Sequence, residues 1–393
     1  MTRENILQRL KSIQDLILDT GRVLNDEEYR TQYHEDLSPL GWHVGHCAFV
    51  ETYWIRQVCL GDDSITDDLR WLYVPENILK PERGPALPEH QTHLKWCANL
   101  HQENLSLLAK PPATLRQHSL YNNNYLALFI LQHHCQHYET MAMVLTQLQL
   151  QKSHQHFTVK APIKAQLPDN DAIAISAGEY HIGNQNNAQS FDNEVPAQKI
   201  HLDDFQIAKK PISNAQWLAF MENGGYQQTK LWDEAGWVWK ESKGISHPEN
   251  WRKDKQQNWY GINTEGPYSL DPSAPVNGIN YFEANAFVKW CREIGGPFRN
   301  ARLPHEYELE VSSQTDLLEQ SKHVWEWCKN QFHAYPNFTA FPYDEYSKPW
   351  FDGNHYTLRG ASAYTQSDIQ RASFRNFYNP DKRHIFSGLR LAL

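Results

Sequence analysis

The segment LQHHCQHYETMAMVL, residues 131–145, carries the most informative pattern in this chain. It is largely apolar and contains no proline, so it predicts a helix. His133 and His137 are four residues apart, and side chains at that spacing lie on one face of a helix. The two imidazoles can therefore converge on one metal ion. Glu139 lies about 200° around the helix from His137, so we expect it to pair with a neighbouring helix and not to bind the metal.

A second pair of histidines, His43 and His46, occurs in SPLGWHVGHCAFVETYW, residues 38–54. This segment also predicts a helix, with Ser38 and Pro39 as its start signal. Two such helices packed together would place three imidazoles around one ion. The alternative is that histidine-rich helices are simply solvated or hydrogen-bonded, and one pair alone does not decide between the two.

Composition excludes several classes of protein. The chain has 393 residues, a net charge of −9 and no run of lysine or arginine, so binding to nucleic acid has little support. No apolar stretch is long enough for a membrane span, and the N-terminal MTRENILQRLKSIQDLIL predicts an amphipathic helix, not a signal peptide. The six cysteines occur singly, which favours a reducing cytoplasm over a disulfide framework. We therefore expect a cytoplasmic protein that acts on small molecules.

The sequence predicts two domains that differ in secondary structure. Residues 1–155 predict four helices, at about 3–25, 38–60, 88–109 and 121–150, which together suggest a four-helix bundle. Residues 156–170 are polar, contain proline and predict a linker. Residues 171–393 predict an α+β domain with long irregular segments, helices at about 213–222 and 281–294, and strands in AIAIS and KIHLDDFQIA. The fourteen tryptophans and nineteen tyrosines suggest that aromatic side chains anchor these segments.

The second domain resembles a known family. An ordered series of phrases carries the resemblance: SAGEYHIGN (176–184), ARLPHEYELE (301–310), HVWEWCKNQF (323–332), YTLRGAS (356–362) and RASFRNFYNPDKRHIFSGLRLA (371–392). They are similar to the formylglycine-generating-enzyme-type domain, which implies a C-type-lectin-like fold. Formylglycine generators use a cysteine pair, whereas this half of the chain has only Cys291 and Cys328. That chemistry is therefore disfavoured.

The first domain resembles the DinB-like helical bundle with three histidine ligands. A DinB-like bundle joined to this second domain is the arrangement of ergothioneine-type sulfoxide synthases. The resemblance implies Fe(II) held by His46, His133 and His137, with O2 as co-substrate, and it places His43 beside the metal site. Zinc also accepts three histidines, but it has no redox chemistry, and the pair of domains favours iron.

The resemblance also implies residues around the substrates. The stretch AYPNFTAFPYDEYSKPWF, residues 334–351, matches a family segment in which the first tyrosine of a Tyr-x-x-Tyr pair acts beside the iron. Here the pair is Tyr343 and Tyr346, and Tyr343 is expected to supply a proton or hydrogen atom. Asn376, Phe377 and Tyr378 correspond to a pocket for a betaine, whose trimethylammonium group aromatic rings would attract. Packing in the core is the alternative for these three.

Three further residues complete the predicted site. Gln136 lies near the face of His133 and could bind the substrate imidazole, although a surface or core-edge role is an equal alternative. Lys80 and Arg83 correspond to a pair of arginines that hold the carboxylates of the sulfur donor, and a solvated loop is the alternative for both. Lysine in place of arginine loses two-pronged hydrogen bonding.

The preferred function is an iron-dependent sulfoxide synthase that joins cysteine or γ-glutamylcysteine to hercynine, the betaine of histidine. Three alternatives stay open: a selenoneine synthase using a selenosugar, an ovothiol-type synthase using unmethylated histidine, and a lectin-like binding protein without catalysis. In the enzyme interpretations we expect the active site to lie between the two domains.

Overall fold

The computed structural model describes residues 2–185 and 187–393, which divide into two units. The first unit comprises the chain up to Lys152 together with Gln366–Ile369, and the second comprises Ser153–Thr365 and Gln370–Leu393. Asp368, in the short return segment, pairs with Arg9 at 2.5 Å inside the first unit. No helix within the described ranges is long and apolar enough to cross a membrane.

The first unit is helical. Its helices are α1 (Arg3–Arg22), α2 (Asp26–Arg30), α3 (Leu40–Thr52), α4 (Arg70–Tyr73), α5 (Lys80–Ala86), α6 (His90–Ala109), α7 (Ala113–Gln117) and α8 (Tyr125–Gln151). The long helices α1, α3, α6 and α8 pack on one another, and α3 continues into a π-helical turn at Tyr53–Val58. These four match the four predicted helical segments, so the predicted helical bundle is confirmed.

Local sequence explains where the bundle helices begin and which faces they bury. The side chain of Thr2 accepts a hydrogen bond from the backbone N–H of Asn5 and caps α1, and α1 buries Ile6, Leu10, Ile13 and Ile17 at helical spacing. α8 begins at Tyr125, four residues later than predicted, because Asn123 and Asn124 adopt left-handed backbone conformations at φ 55° and 60°. Asparagine tolerates this conformation better than most residues.

α8 is the central helix of the first unit. Every residue from Tyr125 to Cys135 is buried, and burial continues along most of the helix. A helix that is buried on all sides lies inside a core. Its histidines are therefore held away from bulk water, and this sets their electrostatics.

The second unit combines short strands with helices and long irregular segments. Its elements are β1 (Ala172–Ile175), β2 (Gly178–Ile182), β3 (Gln198–Leu202), β4 (Phe205–Ala208), α9 (Asn214–Glu222), α10 (Glu234–Lys243), β5 (Trp251–Lys253), β6 (Trp259–Asn263), β7 (Gly266–Ser269), α11 (Tyr281–Ile294), α12 (Glu306–Ser313), β8 (Trp325–Gln331), β9 (Tyr356–Gly360), β10 (Asn376–Tyr378) and β11 (Ser387–Gly388). A mixed sheet has the order β10-β9-β8-β11, in which only β8 and β11 run parallel. β5-β6-β7 form an antiparallel sheet, and β1 pairs with β4 and β2 with β3.

The segment expected to be a linker, residues 156–170, contains no helix or strand. It belongs to the second unit and is hydrogen-bonded to it at two points. The backbone N–H of Val159 donates to the carboxylate of Asp254 at 3.0 Å, and that of Gln166 donates to the carbonyl of Ala215 at 3.0 Å.

Buried ion pairs hold the irregular segments of the second unit. Arg375 donates to both carboxylate oxygens of Glu306, at 2.9 and 2.8 Å, and Arg359 donates to Glu306 at 2.8 Å. Burial raises the pKa of Glu306, but the two arginines outweigh it and lower that pKa to about 2. The pairs fix the chain immediately before β10, which carries Asn376, Phe377 and Tyr378.

Candidate metal centre

Three imidazoles meet in the core of the first unit. His46 lies on α3, and His133 and His137 lie one turn apart on α8. The ring centroids are 4.4 Å apart for His133 and His137, 4.6 Å for His46 and His137, and 5.3 Å for His46 and His133. One ring nitrogen from each residue lies within 4.8 Å of the other two. The structure thus brings together the three histidines predicted as ligands, and we call them the histidine triad.

Neighbouring groups orient two rings of the histidine triad. The Nδ1–H of His46 donates to the backbone carbonyl of Tyr73 at 2.8 Å, which leaves Nε2 for a ligand. Trp42 stacks on the same ring with centroids 4.5 Å apart. The Nδ1 atoms of His137 and His43 are 3.0 Å apart, so one donates and the other accepts. Metal-binding histidines characteristically use their second nitrogen in this way, and His43 lies beside the triad as predicted.

Burial keeps the triad neutral. It lowers the pKa of His46 to about 4 and the pKa values of His133 and His137 well below the usual range for histidine. Each ring therefore keeps a lone pair at neutral pH, as a metal ligand requires. Three lone-pair donors crowded in an apolar core fit a divalent transition metal, and a set of imidazole nitrogens suits iron or zinc better than magnesium or calcium.

Two glycines of α3 shape the surroundings of the triad. A Cβ atom on Gly45 would lie 2.5 Å from Cζ of Tyr73, and one on Gly41 would lie 2.6 Å from Cδ1 of Tyr29. The hydroxyls of both tyrosines bond to the ring of His93, at 2.7 and 2.9 Å. The small residues thus let Tyr73 approach α3 closely enough for its carbonyl to hold His46.

Gly45→Ala is expected to destabilise the protein by about 1–3 kcal/mol because the tyrosine ring must move out of an overpacked site. The displaced carbonyl should also weaken metal binding. Gly178→Ala is the matched control, since its Cβ would meet nothing closer than 3.8 Å. Denaturant unfolding and metal titration of both variants provide the check, and equal stability of the two would contradict this account of Gly45.

Arg83 is not in a solvated loop, so that alternative is wrong for this residue. It lies on α5 and is only 4% exposed. Its N–H groups donate to Ser38 Oγ at 2.5 Å, to the Pro75 carbonyl at 2.7 Å and to the Ile78 carbonyl at 3.3 Å. Its guanidinium group also lies 4.1 Å from the ring centre of Trp42. These contacts support the tryptophan that stacks on His46. Binding of a substrate carboxylate by Arg83, or by the half-buried Lys80 at the start of α5, stays a prediction.

Two other predicted residues lie on α8. Gln136, half-buried, immediately precedes His137, and Glu139 is buried two residues beyond it. Glu139 is absent from the histidine triad, in keeping with its spacing. A role for Gln136 in binding the substrate imidazole stays a prediction.

The remaining predicted site residues lie in the second unit. Tyr343 is half-buried, and its ring centroid is 6.5 Å from that of Tyr346, which stacks on Phe191 at 4.3 Å. Phe377 stacks on Phe332 at 4.2 Å. Asn376 and Tyr378 are half-buried on either side of Phe377 in β10. An approach of these residues to the histidine triad stays a prediction.

The cysteines of the second unit do not form a pair. Cys291 and Cys328 are both buried free thiols, and burial raises the pKa of Cys328 well above its usual value. Neither is the accessible, easily ionised thiol that cysteine chemistry requires. The expectation against a formylglycine generator is therefore consistent with the structure.

Comparison with known proteins supports the same two-part organisation. Residues 158–322 and 312–393 match the model of the Sulfatase-modifying factor enzyme 1-like domain, and residues 2–141 match that of the DinB superfamily. The chain is 26% identical to hercynine oxygenase of Mycolicibacterium smegmatis, over 94% of each protein. It is 26% identical to hercynine oxygenase of Mycolicibacterium thermoresistibile, over 100% of this chain and 96% of that protein. It is 25% identical to Ergothioneine biosynthesis protein 1 of Schizosaccharomyces pombe, over 51% of this chain and 27% of that protein.

The match to the Sulfatase-modifying factor enzyme 1-like domain covers more than half of the chain, and the DinB match covers most of the remainder. Both domains occur in the order that the sequence predicts, and the relatives that align along nearly the whole chain share one name. The chain therefore belongs to the ergothioneine-type sulfoxide synthase family, in which a DinB-like helical bundle precedes a formylglycine-generating-enzyme-like domain.

Proposed function

We propose that this protein is an O2-dependent non-heme iron enzyme of ergothioneine biosynthesis, which joins the sulfur of cysteine or γ-glutamylcysteine to the imidazole ring of hercynine as a sulfoxide. The observation that carries the proposal is the histidine triad, a set of three neutral imidazoles in which His46 and His133 are buried and His137 is half-buried, with no carboxylate among them. The names of the relatives support an oxidoreductase acting on hercynine.

The donor set fits Fe(II) bound by His46, His133 and His137. Three protein ligands leave up to three positions open on a six-coordinate ion. When bound, Fe(II) would supply redox chemistry with O2 and hold both organic substrates next to each other. Bringing the reactants together in one complex removes much of the entropic cost of their encounter.

The residues around the triad would hold the three imidazoles in fixed orientations and limit their contact with water. The carbonyl of Tyr73 and the stacked ring of Trp42 hold His46 in one orientation, and His43 holds His137. The burial of α8 from Tyr125 to Cys135 limits the access of water on the His133 side, whereas His137 is half-buried. A rigid set of ligands favours coupling of the two substrates over unproductive oxidation of either one.

Side chains of the second unit would hold hercynine and move a proton. Phe377 and Trp350 form part of an aromatic group with centroids 6.1 Å apart, and aromatic faces attract a trimethylammonium group. Tyr343 has a hydroxyl that would donate a proton from a position within hydrogen-bond reach of the reacting atoms.

The test is to load the protein with Fe(II) without oxygen and then add O2 with pairs of substrates. The acceptors are hercynine and histidine, and the donors are cysteine, γ-glutamylcysteine and a selenosugar. We expect hercynine with a thiol to give a sulfoxide and one water for each O2 consumed, since one oxygen atom goes to sulfur and the other leaves with two hydrogens.

Mass spectrometry of the products and an oxygen electrode measure that stoichiometry, and Zn²⁺-loaded protein is the inactive control. Coupling only with the selenosugar would identify the protein as a selenoneine synthase, and coupling only with histidine would identify it as an ovothiol-type synthase. Binding of hercynine with no O2 uptake from any pair would defeat the proposal.

A further inference from the structure

A buried carboxylate, separate from the histidine triad, joins the four long helices of the first unit. Glu51, on α3, is fully buried. Its Oε2 accepts hydrogen bonds from Gln14 Nε2 on α1 at 2.7 Å, from His101 Nδ1 on α6 at 3.1 Å and from His134 Nε2 on α8 at 3.1 Å. Each long helix thus contributes one residue, and we call these four residues the Glu51 network.

The Glu51 network is an ionised carboxylate held by hydrogen bonds. Burial raises the pKa of Glu51, but His101 and His134 outweigh it and lower that pKa to about 2. Hydrogen bonds to a charged acceptor are roughly twice as strong as neutral ones. They also fix the ring protons, since His101 must donate from Nδ1 and His134 from Nε2. The carboxylate therefore sets both the spacing of the helices and the orientation of two imidazoles.

The network lies directly beside the triad. His134 follows His133 in the chain, and their ring centroids are 5.8 Å apart. Glu51 is five residues after His46 on α3, which is about 7.5 Å along the helix axis. The bond between Glu51 and His134 consequently joins the two helices that carry all three triad histidines, close to the point where those histidines meet.

A second metal ion in the network is the competing interpretation, because donor atoms of Glu51, His101 and His134 lie within 4.8 Å of one another. Hydrogen bonding argues against it. An ion at His101 Nδ1 would displace the ring proton to Nε2, and that buried atom has no hydrogen-bond partner among the described residues. An unsatisfied buried donor costs about 1–3 kcal/mol, whereas in the present arrangement His101 Nε2 and Glu51 Oε1, which have no partner among the described residues, are acceptors.

We propose that Glu51 is a positioning residue for the metal centre, acting through His134 to hold α3 and α8 at the separation that the triad requires. The proposal rests on the proposed function only in taking the triad as the metal site. Loss of a partner that orients a metal ligand typically weakens metal binding by about 10–100-fold. Glu51 acts one residue further from the metal, through His134, so we expect Glu51→Gln to weaken binding by about tenfold, the lower end of that range. The variant keeps the shape of the side chain and removes its charge.

The experiment titrates metal-free, full-length protein with Co²⁺, whose visible absorption reports the ligand geometry as well as the affinity. Thr52→Val is the matched control. Thr52 is the next residue on α3 and is buried; its hydroxyl donates to the carbonyl of Ala48 within α3 at 2.7 Å and accepts from Asn104 on α6 at 2.9 Å. Glu51→Gln should weaken Co²⁺ binding and shift the spectrum, whereas Thr52→Val should change neither.

A double-mutant cycle tests the route of the effect. His134→Gln should weaken Co²⁺ binding to a similar extent, and Glu51→Gln combined with His134→Gln should be no worse than either alone, because both remove the same contact. If Glu51→Gln does not fold, Gln14→Leu removes one donor from the same oxygen and should give a smaller loss in the same direction.

Three results would overturn the proposal. Wild-type affinity and spectrum in Glu51→Gln and His134→Gln would leave the network with a purely structural role. A second equivalent of Co²⁺ that is lost in Glu51→Gln would make the network a metal site. If the wild-type protein binds no Co²⁺, there is no metal centre, and the proposed function fails together with this proposal. If the wild-type protein binds Co²⁺ and Glu51→Gln binds it equally well, only the positioning role of Glu51 fails.

Discussion

His133→Ala is expected to lose Fe(II) binding at any practical concentration, and His46→Ala and His137→Ala should do the same. Each removes one of the three proposed protein ligands, so the loss should exceed the roughly 10–100-fold that follows from removing an outer partner of a ligand. One ring nitrogen of each histidine lies within 4.8 Å of the other two, and two nitrogens cannot surround an ion as three do. Iron analysis after gel filtration is the measurement.

His90→Ala is the control for the triad variants. His90 is a buried histidine of the same unit, and its Nε2 bonds to the carbonyl of Gly21 at 3.0 Å, away from the triad. The His90→Ala variant should keep its iron even if its free energy of unfolding falls. Full iron occupancy in all three triad variants would mean that the metal site lies elsewhere.

Tyr343→Phe is expected to reduce formation of the carbon–sulfur product by about 10²–10⁴-fold, the contribution of a positioned proton donor. The change removes one hydroxyl and preserves the ring, so iron and both substrates should still bind. Oxidation of the thiol alone should then account for more of the O2 consumed. The ratio of coupled product to oxidised thiol, measured by mass spectrometry, follows this change directly.

Tyr346→Phe separates the two members of the tyrosine pair. Its ring stacks on Phe191, so loss of its hydroxyl should leave packing intact and affect coupling less. A large loss in Tyr346→Phe with none in Tyr343→Phe would reverse the assignment. If the ratio of coupled product to oxidised thiol is unchanged in Tyr343→Phe, the hydroxyl of Tyr343 has no role in the reaction and its ring serves only in packing.

The helices and the triad were predictable because their signals are local. Apolar spacing located α1, α3, α6 and α8, and the four-residue spacing of His133 and His137 placed both on one face. The expectation that two such helices pack together predicted a third imidazole at the same point, and the family resemblance selected His46 over His43. The late start of α8 differs from the prediction because Asn122, Asn123 and Asn124 form a turn, with Asn123 and Asn124 in left-handed conformations. An asparagine cluster is a turn signal, and the helical pattern beyond it was given more weight.

The sequence by itself therefore determined which segments are helical, which histidines face one another and which family the second domain resembles. Only the tertiary structure decided what surrounds those histidines. The Glu51 network joins residues 14, 51, 101 and 134, and no spacing rule connects positions so far apart. His46 is oriented by the backbone carbonyl of Tyr73, a group that every residue type possesses. Such partners become visible only when packing has set the distances between helices.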